Sequence, residues 1–204
     1  MNSNAFQRWN SDLANVIAHV GDAIFFQQVF AAIEAQVPVA YPQVWLYHKD
    51  LPPQLLDHKI PKQAYPSQVD EYLEGPYRED PFFKISLSAP RNNCYRLSRL
   101  VTGDFEQSSY HRDYYASTGT VDEAIIVTRL TDGSVINISL MRLASQGEFS
   151  EEEYNWLYSV SQCLAELIDL HTRREEFVES NLLQPGVDHH IQQGYESFGS
   201  SYVS

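Results

Sequence analysis

Residues 124–143 read AIIVTRLTDGSVINISLMRL, and this stretch carries the clearest structural signal in the sequence. It contains two apolar runs rich in β-branched residues, 124–130 and 135–143, a composition that is typical of β-strands. Between the runs stands Thr-Asp-Gly-Ser, in which Asp132-Gly133 suits the two-residue type I′ turn that joins antiparallel strands. The sequence therefore predicts a β-hairpin here.

The length of the turn fixes the predicted register of this hairpin. A two-residue loop places Val127 opposite Ile138 on one face and Thr128 opposite Asn137 on the other. The first face is apolar and is expected to pack on helices. The second face is mixed, so it is either exposed to solvent or lines a pocket.

Amphipathic helices are predicted at both ends of the chain. Apolar side chains recur at spacings of three and four over residues 6–20, and Gly21 ends that pattern. Asp22 is a candidate N-cap for a second helix. Residues 150–153 read Ser-Glu-Glu-Glu, a capping box that opens a long helix expected to reach Phe177.

The segment between these helices mixes strands with short helices. Strands are predicted at residues 44–48, 55–60 and 94–101, and a helix after Asp80-Pro81, because Asp at the N-cap followed by Pro is a strong start signal. The order of elements favours an α+β fold. We predict an α/β/α sandwich, with a central, mainly antiparallel sheet flanked by helices, as in GAF and PAS domains.

Length and composition indicate one main domain followed by a tail. The chain has 204 residues, of which we assign 1–178 to the domain and 179–204, rich in Gln, Gly and Ser, to a flexible linker. The net charge is −13, which disfavours nucleic-acid binding by these residues themselves. No apolar run is long enough to span a membrane and no signal peptide is visible, so we expect a cytoplasmic protein without a membrane partner.

Known catalytic patterns are missing from the sequence. It contains no G-x-S-x-G, no P-loop and no H-E-x-x-H, and its two cysteines, Cys94 and Cys163, lack C-x-x-C spacing. The histidines are scattered along the chain. We therefore predict a protein that is not an enzyme, with no catalytic residue, no metal site and no cofactor.

A group of aromatic residues indicates a small-molecule pocket, because such pockets need apolar walls with a few polar handles. The richest stretch is YLEGPYREDPFF at residues 72–83, and further tyrosines follow at residues 110–115. The alternative is ordinary packing of core and turns. The candidate ligand-binding residues are Tyr72, Tyr77, Asp80, Phe83, Tyr110, Tyr114, Thr128 and Ser139.

The same stretch, with its Gly-Pro-Tyr and Asp-Pro-Phe-Phe, resembles the N-terminal sensor domains of LuxR-type helix-turn-helix transcriptional regulators. Phe105-Glu-Gln-Ser-Ser-Tyr110 and the run Ile138-Ser-Leu-Met-Arg142 extend the resemblance. It implies a GAF-like sensor that forms a homodimer, binds a small-molecule effector and meets promoter DNA only through a C-terminal helix-turn-helix. That module is absent from this chain, and the tail resembles the linker that precedes it.

By analogy with the acyl-homoserine lactone receptors of this family, Asp80 accepts a hydrogen bond from a ligand amide and Tyr72 donates one to a carbonyl. Those receptors also carry an upstream W-x-x-x-Y motif, which none of the three tryptophans here supplies. The class of ligand therefore stays open.

Three functions are compatible with these observations. The first is a ligand-sensing, dimerising regulatory domain of a transcription factor. The second is a stand-alone protein–protein interaction module without a ligand, and the third is an enzyme on a GAF-like scaffold. The first two use the outer helices as an interface, with Trp9, Leu13, Trp156, Leu167 and Leu170 as candidate contacts.

Overall fold

The computed structural model describes residues 3–49, 51–88, 93–101 and 103–173. The helices are α1 (Ser3–Ala18), α2 (Phe25–Glu34), α3 (Glu71–Leu73), α4 (Pro81–Ser88), α5 (Leu97–Leu100), α6 (Ser109–Asp113) and α7 (Glu151–Thr172). The strands are β1 (Ala40–Tyr47), β2 (Gln54–His58), β3 (Asn93–Arg96), β4 (Thr120–Arg129) and β5 (Val135–Leu143). A π-helical turn, Pro66–Asp70, and three 3-10 turns, Pro76–Arg78, Phe105–Gln107 and Tyr115–Thr118, complete the short elements.

The five strands form one antiparallel sheet in the order β2-β1-β5-β4-β3. Helices α1, α2 and α7 cover one face with a continuous apolar core. The short helices and turns cover the other face around a second, more aromatic core. The predicted α+β class, with an antiparallel sheet between two helical layers, is confirmed.

The β4–β5 hairpin is present, but its loop has three residues rather than the predicted two. Leu130 N donates to Ser134 O over 2.9 Å, which closes the loop around residues 131–133. Gly133 has φ +88°, the left-handed conformation that follows a type I turn in a three-residue hairpin loop. Asp132 is therefore part of a type I turn, and the predicted type I′ geometry is wrong.

One extra loop residue shifts the register by one and exchanges the two faces of β5 relative to β4. Ile126 lies opposite Ile138, and Thr128 lies opposite Ile136. The predicted pairs of Val127 with Ile138 and of Thr128 with Asn137 are therefore wrong. Thr128 shares the face of Ile126, which packs on the long helices, and Asn137 lies on the face covered by the short helices.

Ring contacts join the long helices to each other. The indoles of Trp9 on α1 and Trp156 on α7 meet edge to face, with ring centroids 5.1 Å apart. His171, near the end of α7, stacks on Phe25 at 4.1 Å, and its Nδ1 accepts a hydrogen bond from Gly21 N over 2.9 Å. Helix α7 is thus anchored at two places against the α1–α2 pair.

Some boundaries differ from the prediction. The strand predicted to reach residue 101 ends at Arg96, because Leu97 and Leu100 take the i, i+3 spacing of a helical turn and pack on the aromatic core. Asp22 does not cap α2, which begins at Phe25 without a side-chain cap. The tail at residues 179–204 and the predicted extension of α7 to residue 177 lie outside the described residues.

The capping box at the start of α7 is confirmed. Ser150 Oγ accepts from Glu153 N over 3.2 Å, and the Glu153 carboxylate accepts from Ser150 N over 2.7 Å. We expect Ser150→Ala to lower the free energy of unfolding by about 1 kcal/mol, because a backbone N–H then loses its acceptor. Urea denaturation measures this change, with Ser159→Ala, an exposed mid-helix position, as the control. Equal stability of the two variants would contradict it.

Candidate ligand-binding site

A cavity of about 390 Å³, including its opening, lies between the sheet and the layer of short helices. Its floor is made by side chains of the three central strands, which alternate between the two faces of the sheet. The floor residues are Gln43, Trp45, Tyr47, Thr120, Glu123, Asn137, Ser139 and Met141. The walls are made by Gln68, Tyr72, Asp80, Phe82, Tyr110, Tyr114, Tyr115 and Thr118.

The walls are mainly aromatic, and their rings contact one another. Tyr72 is central, with its ring centroid 5.2 Å from that of Trp45 and 5.6 Å from that of Tyr114. Tyr110 continues the row, 5.5 Å from Tyr114 and 5.9 Å from Tyr115. All five rings are buried, so a bound molecule would contact aromatic side chains rather than solvent.

Asp80 accepts two hydrogen bonds at the N-terminus of α4. Its Oδ1 accepts from Phe82 N over 2.7 Å, which confirms the predicted N-cap, and its Oδ2 accepts from the Tyr72 hydroxyl, also over 2.7 Å. Burial disfavours the carboxylate and raises the pKa of Asp80 to about 6, although these hydrogen bonds oppose the rise. Burial raises the pKa of Tyr72, and the nearby charge of Asp80 raises this pKa further.

Glu123 is a second buried carboxyl in the same cavity. It projects from β4, is 7% exposed, and its Oε1 accepts from the Ser139 hydroxyl over 2.6 Å. Burial, with a smaller contribution from the charge of Asp80, raises the pKa of Glu123 to about 8. Glu123 is therefore largely protonated at neutral pH.

Three buried polar atoms along the cavity have no hydrogen-bond partner within the described part of the chain. They are Gln68 Oε1, Tyr115 Oη and Asn137 Oδ1, on side chains that are 1%, 5% and 0% exposed. Buried polar groups are nearly always paired, because burying one alone costs about 1–3 kcal/mol. Unpaired atoms that face a cavity are what a binding site for a polar molecule requires.

The structure brings five of the eight predicted ligand-binding residues together: Tyr72, Asp80, Tyr110, Tyr114 and Ser139 line the cavity. Tyr77 and Phe83 lie behind the wall, where Tyr77 meets Tyr72 at 6.1 Å and Phe83 meets Tyr47 at 5.1 Å. Thr128 lies on the other face of the sheet, because of the register correction above. Whether any of the eight binds a ligand stays a prediction.

Sequence reasoning did not select Glu123, Gln43, Gln68 and Asn137 as site residues. Glu123 and Asn137 could have been predicted from the sequence, since the correct hairpin register places both on the face that carries Ser139. Gln43 lies on the same face of β1, where its Oε1 accepts from Trp45 Nε1 over 2.9 Å. Gln68 sits in a π-helical turn, for which the sequence offers no recognisable pattern.

The residues predicted for a dimer interface are divided between core and surface. Trp9 is buried in the helical core, and Leu13, Trp156 and Leu167 are partly buried against it, whereas Leu170 is 50% exposed. The described helices also include none that is both long and apolar enough to cross a membrane. Within the described ranges, no group of three or more His, Cys, Asp or Glu side chains is arranged to hold a metal ion.

Solved structures with a similar fold include ligand-binding domains of transcriptional regulators. The ligand-binding domain of VqsR from Pseudomonas aeruginosa superposes with a TM-score of 0.69 at 20% identity, covering 80% of this chain and 96% of that one. CepR2 from Burkholderia cenocepacia, an N-acylhomoserine lactone dependent LuxR-family transcription factor, superposes with a TM-score of 0.60 at 17% identity, covering 90% and 100%. No family model and no curated protein matches the sequence.

A GAF domain from a cyanobacterial phytochrome, with phycoerythrobilin bound, also superposes, with a TM-score of 0.54 at 13% identity over 84% of this chain and 98% of that one. The fold is therefore that of the GAF-like sensor domains. Among these, it is the fold of the ligand-binding domains of LuxR-family regulators, which confirms at the level of the fold the resemblance noted in the sequence.

Proposed function

We propose that this chain is the ligand-sensing, dimerising regulatory domain of a LuxR-type transcriptional regulator in the cytoplasm, and that it is not an enzyme. Promoter DNA would be bound through a C-terminal helix-turn-helix. The observation that carries the proposal is the cavity, whose lining includes Gln68, Tyr115 and Asn137, each with a buried polar atom that has no partner among the described residues. A polar ligand bound there would pair these atoms, which otherwise destabilise the fold.

The mechanism is a shift between populations of the domain. The cavity is walled by short helices and turns, each held by few backbone hydrogen bonds, while its floor is the sheet. A molecule that pairs the three atoms stabilises the closed arrangement of these short elements. The bound arrangement then favours one geometry of the dimer and so controls the position of the DNA-binding modules.

The outer surface of α1 and α7 supports dimerisation through these helices. Phe6 and Ile17 on α1 are 53% and 52% exposed, and Tyr158 and Leu170 on α7 are each 50% exposed. Trp9 and Trp156 hold the two helices together within one chain. We propose that a second copy covers the exposed side chains.

A reporter experiment tests the sensing function. The chain, fused to a DNA-binding domain that represses only as a dimer, is expressed beside a reporter gene and exposed to a library of small molecules. At least one compound is expected to change the reporter signal. Tyr115→Phe is expected to raise the concentration for half response by about tenfold, because it removes a hydroxyl that has no partner among the described residues.

The matched control is Tyr65→Phe, which removes the same hydroxyl from a partly buried tyrosine outside the cavity lining. Its response should equal that of the unaltered chain. A library that leaves the reporter unchanged, or a Tyr115→Phe variant that responds like Tyr65→Phe, would count against the proposed function.

A further inference from the structure

The chemistry of the cavity identifies a class of ligand, an inference that rests on the proposed function. We propose that the ligand is a small molecule carrying a protonated amine or guanidinium, whose cationic nitrogen is bound between Glu123 and Asp80 within the aromatic walls. Three features of the cavity support this ligand class: the hydrogen-bonding character of the unpaired atoms, the charges of the lining residues and the arrangement of the rings.

The unpaired oxygens of Gln68 and Asn137 favour a ligand that donates hydrogen bonds. Gln68 Nε2 donates to Thr118 O over 3.2 Å, and a carbonyl oxygen only accepts, so the free atom of this amide is its acceptor oxygen. Asn137 Nδ2 lies 3.1 Å from Ser86 Oγ, which leaves its Oδ1 as a second free acceptor. Ammonium and guanidinium groups supply three to five donors and no acceptor.

The charges of the residues that line the cavity also favour a cationic ligand. Asp80 and Glu123 both line the cavity, whereas none of its lining residues is Lys or Arg. Among the described residues, the two buried arginines pair elsewhere: Arg96 with Asp122 over 2.8 Å, and Arg142 with Glu153 over 3.1 Å. Without a ligand, protonation keeps Glu123 neutral. A bound cation would favour the ionised carboxylate, displace that proton and pair with the charge, whereas an anion would meet only acidic groups. The raised pKa of Glu123 is consistent with a missing counter-charge.

The aromatic rings of the cavity also favour a bound cation. Trp45, Tyr72, Tyr110 and Tyr114 form a connected group beside Asp80, with neighbouring ring centroids 5.2 to 5.6 Å apart. The negative faces of Trp and Tyr rings attract ammonium groups, most strongly where water is excluded. The volume of about 390 Å³ includes open solvent and the interior of the cavity is much smaller, so the molecule is a compact amine and the walls adjust around it.

Matched pairs of amines and alcohols test this assignment on the full chain. Thermal unfolding is followed with 2-phenylethylamine against 2-phenylethanol, and with butylamine against 1-butanol. The members of a pair differ in the cationic nitrogen and are otherwise of the same shape. At least one amine is expected to raise Tm by about 3 °C or more at a concentration near ten times its Kd, and its alcohol to have no effect.

Two variants, each of which removes one carboxyl, test whether the amine acts at this cavity. Glu123→Gln keeps the shape of the cavity and removes one carboxyl, so the amine should lose its effect on Tm. Glu106→Gln removes an exposed carboxyl outside the cavity and should respond like the unaltered chain. Persistence of the amine effect in Glu123→Gln would overturn the assignment, as would the absence of any amine effect.

The outcomes also separate this assignment from the proposed function. If the alcohols stabilise the chain as strongly as the amines, and Tyr115→Phe weakens both, the cavity is a sensor site but its preference for cations is wrong. If no compound acts and the reporter is silent as well, the sensing function fails together with the ligand class.

Discussion

Glu123→Gln is expected to raise the free energy of unfolding by about 3–5 kcal/mol near pH 8.5 and to change it little near pH 4.5. Burial raises the pKa of Glu123 from 4.5 in the unfolded chain to about 8 in the folded one, so the folded state holds this proton more tightly. The stability that the protonated carboxyl contributes is complete below pH 4.5 and is lost as the pH rises to about 8. Glutamine cannot lose a proton, so the variant avoids that loss.

Urea denaturation of both proteins across this pH range measures the effect. The two curves of stability against pH should converge on the acid side and separate steadily up to about pH 8. Glu106→Gln, at an exposed position, is the control and should follow the unaltered chain throughout. A difference between Glu123→Gln and the unaltered chain that does not vary with pH would contradict the account.

Asp122→Asn, at the adjacent residue, is expected to have the opposite effect and to lower the free energy of unfolding by about 3 kcal/mol. Asp122 Oδ2 accepts from Arg96 Nε over 2.8 Å and from Phe149 N over 3.0 Å, and both charged side chains are almost fully buried, at 6% and 2% exposure. Removing one charge of a buried pair leaves the other without compensation. Glu151, 3.2 Å from Arg96, offsets part of the loss.

Glu151→Gln is the matched control, because it removes a carboxylate from the same arginine at a position that is 66% exposed. Solvated ion pairs contribute less than about 1 kcal/mol, so this variant should unfold close to the unaltered chain at neutral pH. An Asp122→Asn variant that is no less stable than Glu151→Gln would contradict the predicted effect of the buried pair.

The contrast between these adjacent carboxyls supports the proposed ligand class. Asp122 has a cationic partner inside the protein, whereas Glu123 faces a cavity without one among its lining residues. A buried acid with a strongly raised pKa is a cost to the fold, and such groups concentrate at functional sites. We attribute the cost at Glu123 to ligand recognition.

The sequence predicted the features that depend on local chemistry. The Ser150 capping box, the Asp80 N-cap and the hairpin flanked by β-branched runs were all recognisable, because caps and turns depend on a few adjacent residues. The aromatic stretch at residues 72–83 also pointed to the correct face, since Tyr72 and Asp80 both reach the cavity.

The features that were missed depend on the position of one residue. Thr-Asp-Gly-Ser permits both a two-residue and a three-residue loop, and the choice decides which side chains of β5 face the cavity. With the wrong loop, Thr128 was assigned to the site and Glu123 fell on the opposite face of the sheet, whereas Asn137 shares the face of Ser139 with either loop. The sequence also does not show that the Glu123 carboxyl is buried in a cavity lined by no Lys or Arg.

Soaking crystals of the chain with a library of compact amines and neutral fragments shows whether the cavity binds a ligand. We predict that bound fragments occupy the cavity and contact at least one of Gln68, Tyr115 and Asn137, with amine nitrogens beside Glu123. Fragments found only on the outer surface of α1 and α7 or elsewhere, with the cavity empty in every crystal, would contradict the claim that this cavity senses a ligand.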